Sequence, residues 1–68
     1  MAYNRSEMRV ARIRRDLSQI DMAEMLGITK QAYWRKENGK NVFSLKDLDI
    51  LREKMQLTDE ELHNIFFA

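Results

Sequence analysis

QIDMAEMLGITKQAYWRKENG, residues 19–39, is the stretch of sequence from which the fold can be predicted. Met22 and Leu26 lie one helical turn apart, which predicts an apolar face on a short helix. Gly27 follows directly, and glycine most readily adopts the positive φ that ends a helix. Thr29 is a favourable N-cap for a new helix. The stretch therefore predicts two short helices joined by a tight turn.

This pair of helices has the features of a helix-turn-helix, because the turn contains glycine and the small Ala23 lies where the helices would cross. The second helix has one clear apolar anchor, Tyr33. Its other positions include Lys30, Gln31 and Arg35, side chains that can read base edges in a major groove. A solvated amphipathic helix has similar composition, but the preceding turn favours the interpretation as a DNA-reading helix.

A recurring start signal predicts an all-α fold. The signal is an apolar residue, a polar cap, an acid at the third helical position and an apolar residue at the fourth. It occurs four times, and a fifth start, at Thr29, lacks only the acid. A helix start without acids is one that could face phosphates. One domain, residues 1–68, is therefore expected, with helices at roughly 5–15, 19–26, 30–37, 45–54 and 59–66.

Apolar spacing predicts which side chains form the core of these helices. Four apolar residues fit no inward face and could form a minor patch or an interface: Val10, Ile13, Ile20 and Phe67. The predicted core comprises Met8, Ala11, Leu17, Met22, Leu26, Ile28, Tyr33, Leu45, Leu48, Leu51, Met55, Leu57, Leu62 and Phe66.

Composition argues against several classes of function. The 68 residues include no cysteine and one histidine, His63, so neither a disulfide framework nor a Cys/His metal site is expected. No nucleophile–base set or phosphate-cradling glycine loop is visible, so we expect no catalytic residue, no cofactor and no enzyme. No small-molecule ligand is indicated. No apolar run is long enough to span a membrane, and we expect a cytoplasmic protein.

The distribution of charge is more informative than the net charge of +1. Residues 1–40 contain nine basic and five acidic residues, a balance of +4, whereas residues 41–68 contain three basic and six acidic residues, a balance of −3. Such asymmetry suits a protein that meets a polyanion on one side, although an ordinary solvated surface would also account for it. The basic residues Arg5, Arg9, Arg14 and Arg15 are expected on a solvated face.

Four segments carry a resemblance to a known family: Leu17–Gln19, Ala23, Leu26–Thr29 and Glu37–Lys40. At these spacings the chain resembles the Cro and repressor type of helix-turn-helix proteins (Xre-like) of phages and bacteria, from Met8 to about Leu62. The tail FSLKDLDILREKMQLTDEELHNIFF is similar to the last two helices of small phage regulators. The resemblance implies a five-helix lambda-repressor-like fold and a phage or prophage Cro-like repressor that binds double-stranded operator DNA in a bacterial cell.

The resemblance also assigns roles to single residues. The base-reading residues would be Lys30, Gln31 and Arg35, with Thr29 and Trp34 at the rim. The phosphate-binding residues would be Gln19, Asn38, Lys40 and Asn41, together with the backbone amides of residues 38–41. Arg12 and Glu37 would form a structural ion pair.

Two positions depart from the family pattern. Asp16 stands where glycine is common, and Lys36 replaces a frequent apolar residue, so its side chain would extend outward. Trp34 could pack on a sugar, on a thymine methyl or on a protein. An alternative function is therefore a protein-binding adaptor, such as an antitoxin, an antirepressor or a host-takeover protein. A homodimer, at least on DNA, is a further possibility, with Phe67 and Ile65 as candidate contacts.

Overall fold

The computed structural model describes residues 2–68, and in that range the chain forms five α-helices and no β-strand. The all-α fold class predicted from the sequence is confirmed. The first helix ends one residue earlier than predicted and the fourth ends one residue later. The helices are α1 Arg5–Arg14, α2 Gln19–Leu26, α3 Lys30–Glu37, α4 Leu45–Met55 and α5 Asp59–Phe66.

Polar caps explain where the helices begin. In each helix the cap side chain accepts a hydrogen bond from the backbone N–H three residues further on. At three caps, Ser18, Ser44 and Thr58, the backbone N–H of the cap also donates to the carboxylate three residues further on, which completes a capping box. A cap of this kind contributes about 0.5–2 kcal/mol. The short helices are therefore bounded by local sequence as well as by packing.

Four residues adopt a positive φ where helices end or turn, and one of them, Gly39, follows α3 at φ 79°. Gly27 closes α2 at φ 69°, as the sequence predicts. Gln56 closes α4 at φ 54°, and Asp16, between α1 and α2, has φ 56°. Aspartate tolerates this conformation better than most residues, so Asp16 can adopt a positive φ that glycine takes most readily.

The core lies between α1, α2, α4 and α5, with Tyr33 entering from α3. Of the predicted core, Leu17, Leu26, Ile28 and Leu62 are partly rather than fully buried. The buried apolar side chains are Met8, Ala11, Met22, Ala23, Tyr33, Leu48, Leu51, Met55, Leu57, Ile65 and Phe66.

Two predictions about apolar residues were wrong. Leu45 was placed in the core by its spacing from Leu48, but it is 78 % exposed because it is the first residue of α4 and lies beyond the edge of the core. Ile65 was a candidate dimer contact, but it is 1 % exposed. The amino-terminal segment covers this end of α5, since the backbone N–H of Asn4 donates to the carbonyl of Ile65 at 2.7 Å.

An aromatic cluster joins the amino terminus to the end of α3. The Tyr3 ring lies 5.3 Å from Phe43 and 5.8 Å from Phe66, and Tyr33 lies 6.3 Å from Phe43, measured between centroids. The hydroxyl of Tyr3 donates to the backbone carbonyl of Glu37 at 2.6 Å. Burial raises the pKa of Tyr3, and the charge of Glu37 raises it further. The hydrogen bond from Tyr3 to the Glu37 carbonyl holds the carboxyl end of α3 against the core.

Arg15, just after α1, links that helix to the end of α4 and to α5. Its guanidinium donates to both carboxylate oxygens of Glu61, at 2.6 and 2.8 Å, and to the backbone carbonyl of Met55 at 2.6 Å. Only 21 % of its side chain is exposed, so the expectation that it lies on a solvated face was wrong. Arg14, which is mostly exposed, adds a longer contact to Glu61 at 3.2 Å.

Candidate nucleic-acid interface

The turn between α2 and α3 fixes how α3 is presented. Ala23 is buried on α2, and its carbonyl accepts a hydrogen bond from the Ile28 N–H at 3.0 Å. Tyr33 is fully buried and anchors the middle of α3. Because this close turn and this anchor hold one face of α3 against the protein, the opposite face is left toward solvent.

The outer face of α3 carries side chains with no partner elsewhere in residues 2–68. Thr29, Lys30, Gln31, Trp34 and Arg35 are all exposed. None of the last four forms an ion pair or a side-chain hydrogen bond within the described part of the chain. The structure therefore brings together on one surface the five residues that the sequence analysis assigned to base reading.

The amino-terminal end of α3 differs from that of the other four helices. Each of the others has an acid in its first turn, and α3 has none. Its side-chain cap is the neutral Thr29, which accepts from the Ala32 N–H at 3.1 Å. The partial positive charge of this helix end is therefore not offset by a carboxylate, which favours an anionic neighbour such as DNA.

The buried carboxylate of Glu37 secures the other end of α3. Its oxygens accept hydrogen bonds from Arg12 Nε at 2.7 Å, Tyr33 Oη at 2.8 Å and Gln19 Nε2 at 3.0 Å. Burial raises the pKa of Glu37, but the bonds from Arg12, Gln19 and Tyr33 and the charge of Arg12 outweigh it and leave the pKa below its ordinary value. Arg12 and Glu37 thus form an ion pair in which Glu37 is 1 % exposed.

Gln19 takes part in the hydrogen bonds around Glu37 and also reaches the exposed surface. It opens α2, it is partly exposed, and it donates one amide hydrogen to Glu37. A glutamine amide has a second hydrogen and a carbonyl oxygen. Gln19 therefore retains one donor for a phosphate while its position is set by the same carboxylate that holds Arg12.

The loop after α3 differs from the expectation in one respect. The backbone amides of residues 38–41 were expected to hold phosphates, but all four donate to carbonyls of α3. The Lys40 N–H, for example, lies 2.7 Å from the Arg35 carbonyl. The expectation was wrong because the loop folds back to satisfy the open end of α3. The side chains of Lys40 and Asn41 remain exposed, while the Asn38 amide donates to the Trp34 carbonyl at 3.0 Å.

Lys36 does not extend freely into solvent as its replacement of an apolar residue suggested. Its Nζ donates to Asp47 at 2.8 Å and to the Val42 carbonyl at 3.1 Å, and it lies 5.8 Å from the centroid of Phe43. The carboxylate of Asp47 also caps α4. Burial raises the pKa of Asp47, but the contacts with Lys36 and Ser44 lower it overall. This contact ties α3 to α4 across the loop.

Two other features, a metal-binding cluster and a membrane-spanning helix, are not found in residues 2–68. No group of three or more histidine, aspartate or glutamate side chains in that range is arranged to hold a metal ion. None of the helices described is long and apolar enough to cross a membrane.

Comparison with known proteins is consistent with the geometry of α2 and α3. No curated protein and no solved structure matched the chain. A family model described as helix-turn-helix matches residues 8–62, from the middle of α1 into α5. Because this match covers more than half of the chain, the protein belongs to the Xre/Cro-type helix-turn-helix family of DNA-binding regulators.

Proposed function

We propose that this protein is a sequence-specific transcriptional regulator, a Cro-like repressor of phage or prophage origin that reads operator DNA in the major groove with α3. The observation that carries the proposal is the unpaired outer face of a helix that is anchored firmly at its back. Lys30, Gln31 and Arg35 point from this face with no intramolecular partner among the described residues. Their groups match the guanine and adenine edges of a major groove.

In this proposal one group of residues reads bases and a second group contacts phosphates. Lys30, Gln31 and Arg35 specify bases, and the side chains of Gln19 and Lys40 contact phosphates and set the register. Asn41 supports the same phosphate contact, and Thr29 lies at the rim of the reading face. Asn38 is occupied by the end of α3, so its part is to shape the loop that carries Lys40.

We further propose that the protein acts as a single domain, residues 1–68, in the cytoplasm of a bacterial host. It would bind a two-fold operator as a dimer, with half-sites about 34 Å apart. Phe67, 49 % exposed just beyond α5, is the remaining candidate for the dimer contact.

Selection of bound sites from a random pool of duplex oligonucleotides tests the proposal. It reports specificity, half-site symmetry and spacing together. We expect an enriched two-fold sequence, and an affinity for it that falls steeply as salt increases, because phosphate contacts release counterions. A pool that shows no enrichment after several rounds at low salt would contradict sequence-specific reading.

One observation favours a second function. Trp34 exposes 45 % of its surface in the middle of α3, and exposed tryptophan is enriched at protein interfaces. A protein-binding adaptor would use this side chain with the basic residues around it. The two functions separate in one binding assay with random duplex DNA at low salt, since an adaptor predicts no detectable association.

A further inference from the structure

The exposed face of α3 contains an open hollow beside Trp34. Gln31, Trp34 and Arg35 line it, and its volume is about 260 Å³. Trp34 and Arg35 lie three and four positions after Gln31, so each of their side chains is a neighbour of Gln31 on the helix surface. The hollow lies within the surface that the proposed function presents to DNA bases, and the inference below rests on that function.

The indole of Trp34 is an apolar surface that is not packed in the hydrophobic core. The aromatic cluster of the described residues consists of Tyr3, Tyr33, Phe43 and Phe66, and Trp34 is not part of it. The other two lining side chains, Gln31 and Arg35, are polar, so the hollow combines one apolar surface with hydrogen-bonding groups. A ligand that fits it has an apolar group next to donors and acceptors.

One base pair in the major groove has this combination. Thymine presents a C5-methyl group beside its O4 acceptor, and its partner adenine presents the N7 acceptor and N6 donor that suit glutamine. We propose that Trp34 receives the C5-methyl of a thymine in the hollow that it lines with Gln31 and Arg35, and so selects a T·A pair there. Burial of the methyl against the indole removes apolar surface of both groups from water.

Replacement of thymine by deoxyuridine tests this directly, because it removes only the methyl group. In the site selected from the random pool, each thymine is replaced singly and the Kd of each duplex is measured. At one thymine of each half-site we expect the unaltered protein to bind the deoxyuridine duplex about 3- to 5-fold more weakly, because the burial of one methyl-sized apolar group is lost. Trp34→Ala should bind the two duplexes equally, and Trp34→Phe should keep part of the difference.

A matched control uses Ile13, an apolar side chain of α1 that is 60 % exposed. Ile13→Ala should leave the ratio between the thymine and deoxyuridine duplexes unchanged. Thermal unfolding shows whether each variant is folded. If Trp34→Ala does not fold, Trp34→Gln replaces it, because the longer glutamine side chain occupies more of the space of the indole and lacks its aromatic apolar face.

The outcomes separate the inference from the function on which it rests. A pool without an enriched sequence overturns both. An enriched sequence in which no thymine responds, or responds equally in Trp34→Ala, overturns the inference alone. Replacement of the responsive pair by 5-methylcytosine·guanine keeps the methyl but removes the adenine, and equal affinity for that duplex would overturn the assignment to thymine.

Discussion

Gln19 Nε2 donates to Glu37 Oε2 at 3.0 Å, and this hydrogen bond joins the first residue of α2 to the last residue of α3. The same carboxylate accepts from Arg12 and Tyr33, and the carbonyl of Glu37 accepts from Tyr3. The end of the proposed reading helix is therefore held by α1, by α2 and by the amino-terminal segment. A residue proposed to contact phosphate is part of that support.

Replacement of Gln19 should affect both stability and DNA binding. Gln19→Ala removes a hydrogen bond to a buried carboxylate, and we expect a loss of about 1.5–3 kcal/mol in the free energy of unfolding. Binding should weaken for operator and random DNA alike, because a phosphate contact carries no base information. Urea unfolding and Kd measurements check these effects. Ile20→Ala, at the next and more exposed position, is the control, and an equal effect of both variants would contradict the role of Gln19.

Removal of Arg12 should have a larger effect on folding. Arg12→Met leaves the buried Glu37 without its cation, and loss of one partner of such a pair costs about 3–5 kcal/mol. Because Tyr33 and Gln19 alone cannot neutralise the charge, the pKa of Glu37 should rise in this variant. The double variant Arg12→Met/Glu37→Leu removes the stranded charge and should be less destabilised than the sum of the single variants. Additive losses in a denaturant-unfolding cycle would show that the pair is not coupled.

The pair of Arg15 and Glu61 predicts how stability depends on pH. The hydrogen bonds from Arg15 are the largest cause that lowers the pKa of Glu61, from 4.5 to about 2, and the Thr58 backbone contributes. A lowered pKa means that the folded state prefers the ionised carboxylate. The stabilisation is therefore complete above about pH 5 and is lost as the pH falls from there toward 2.

Glu61→Gln isolates this contribution from those of Glu37 and Asp47, whose pKa values are also lowered. We expect the variant to be less stable by about 1 kcal/mol near neutral pH, a modest value because solvent screens this pair near the surface. The difference between variant and unaltered protein should shrink as the pH falls and vanish only below about pH 2, where Glu61 is protonated in the folded state as well. A difference that stays constant from pH 7 to pH 2 would mean that the charge of Glu61 is not responsible.

The features that sequence predicts here are those set by neighbours along the chain. Helix starts follow from caps such as Ser18 and from acids three residues later, so α2 was found with the bounds that the structure shows. The outward face of α3 followed in the same way, because Tyr33 is its one deep apolar anchor. Periodicity failed at Leu45, where the spacing is correct but no core lies beside the first turn.

The contacts that sequence did not predict join distant residues. Arg15 and Glu61 are separated by 46 positions, and Tyr3 reaches Glu37 across 34. Charge alone does not show that Arg15, just after α1, turns inward while Arg14 stays exposed, because this depends on where α5 packs. Lys36 was read as an outward side chain for the same reason, since its partner Asp47 lies on α4.

Arg35 and Lys40 provide the most direct test of the division between base reading and phosphate contact. Arg35→Ala should cost about 1–3 kcal/mol in binding to the selected operator and relax the preference at one base pair. Lys40→Ala should instead weaken binding nearly uniformly across sequences and reduce the salt slope by about one phosphate contact. Both side chains are exposed and lie outside the ion pairs of the described residues, so neither change should alter the unfolding temperature appreciably. Kd values for the operator, for its single-base variants and for random duplex DNA, each at several salt concentrations, separate the two effects. Equal losses of specific and random binding in Arg35→Ala would show that Arg35 holds the backbone and does not read a base.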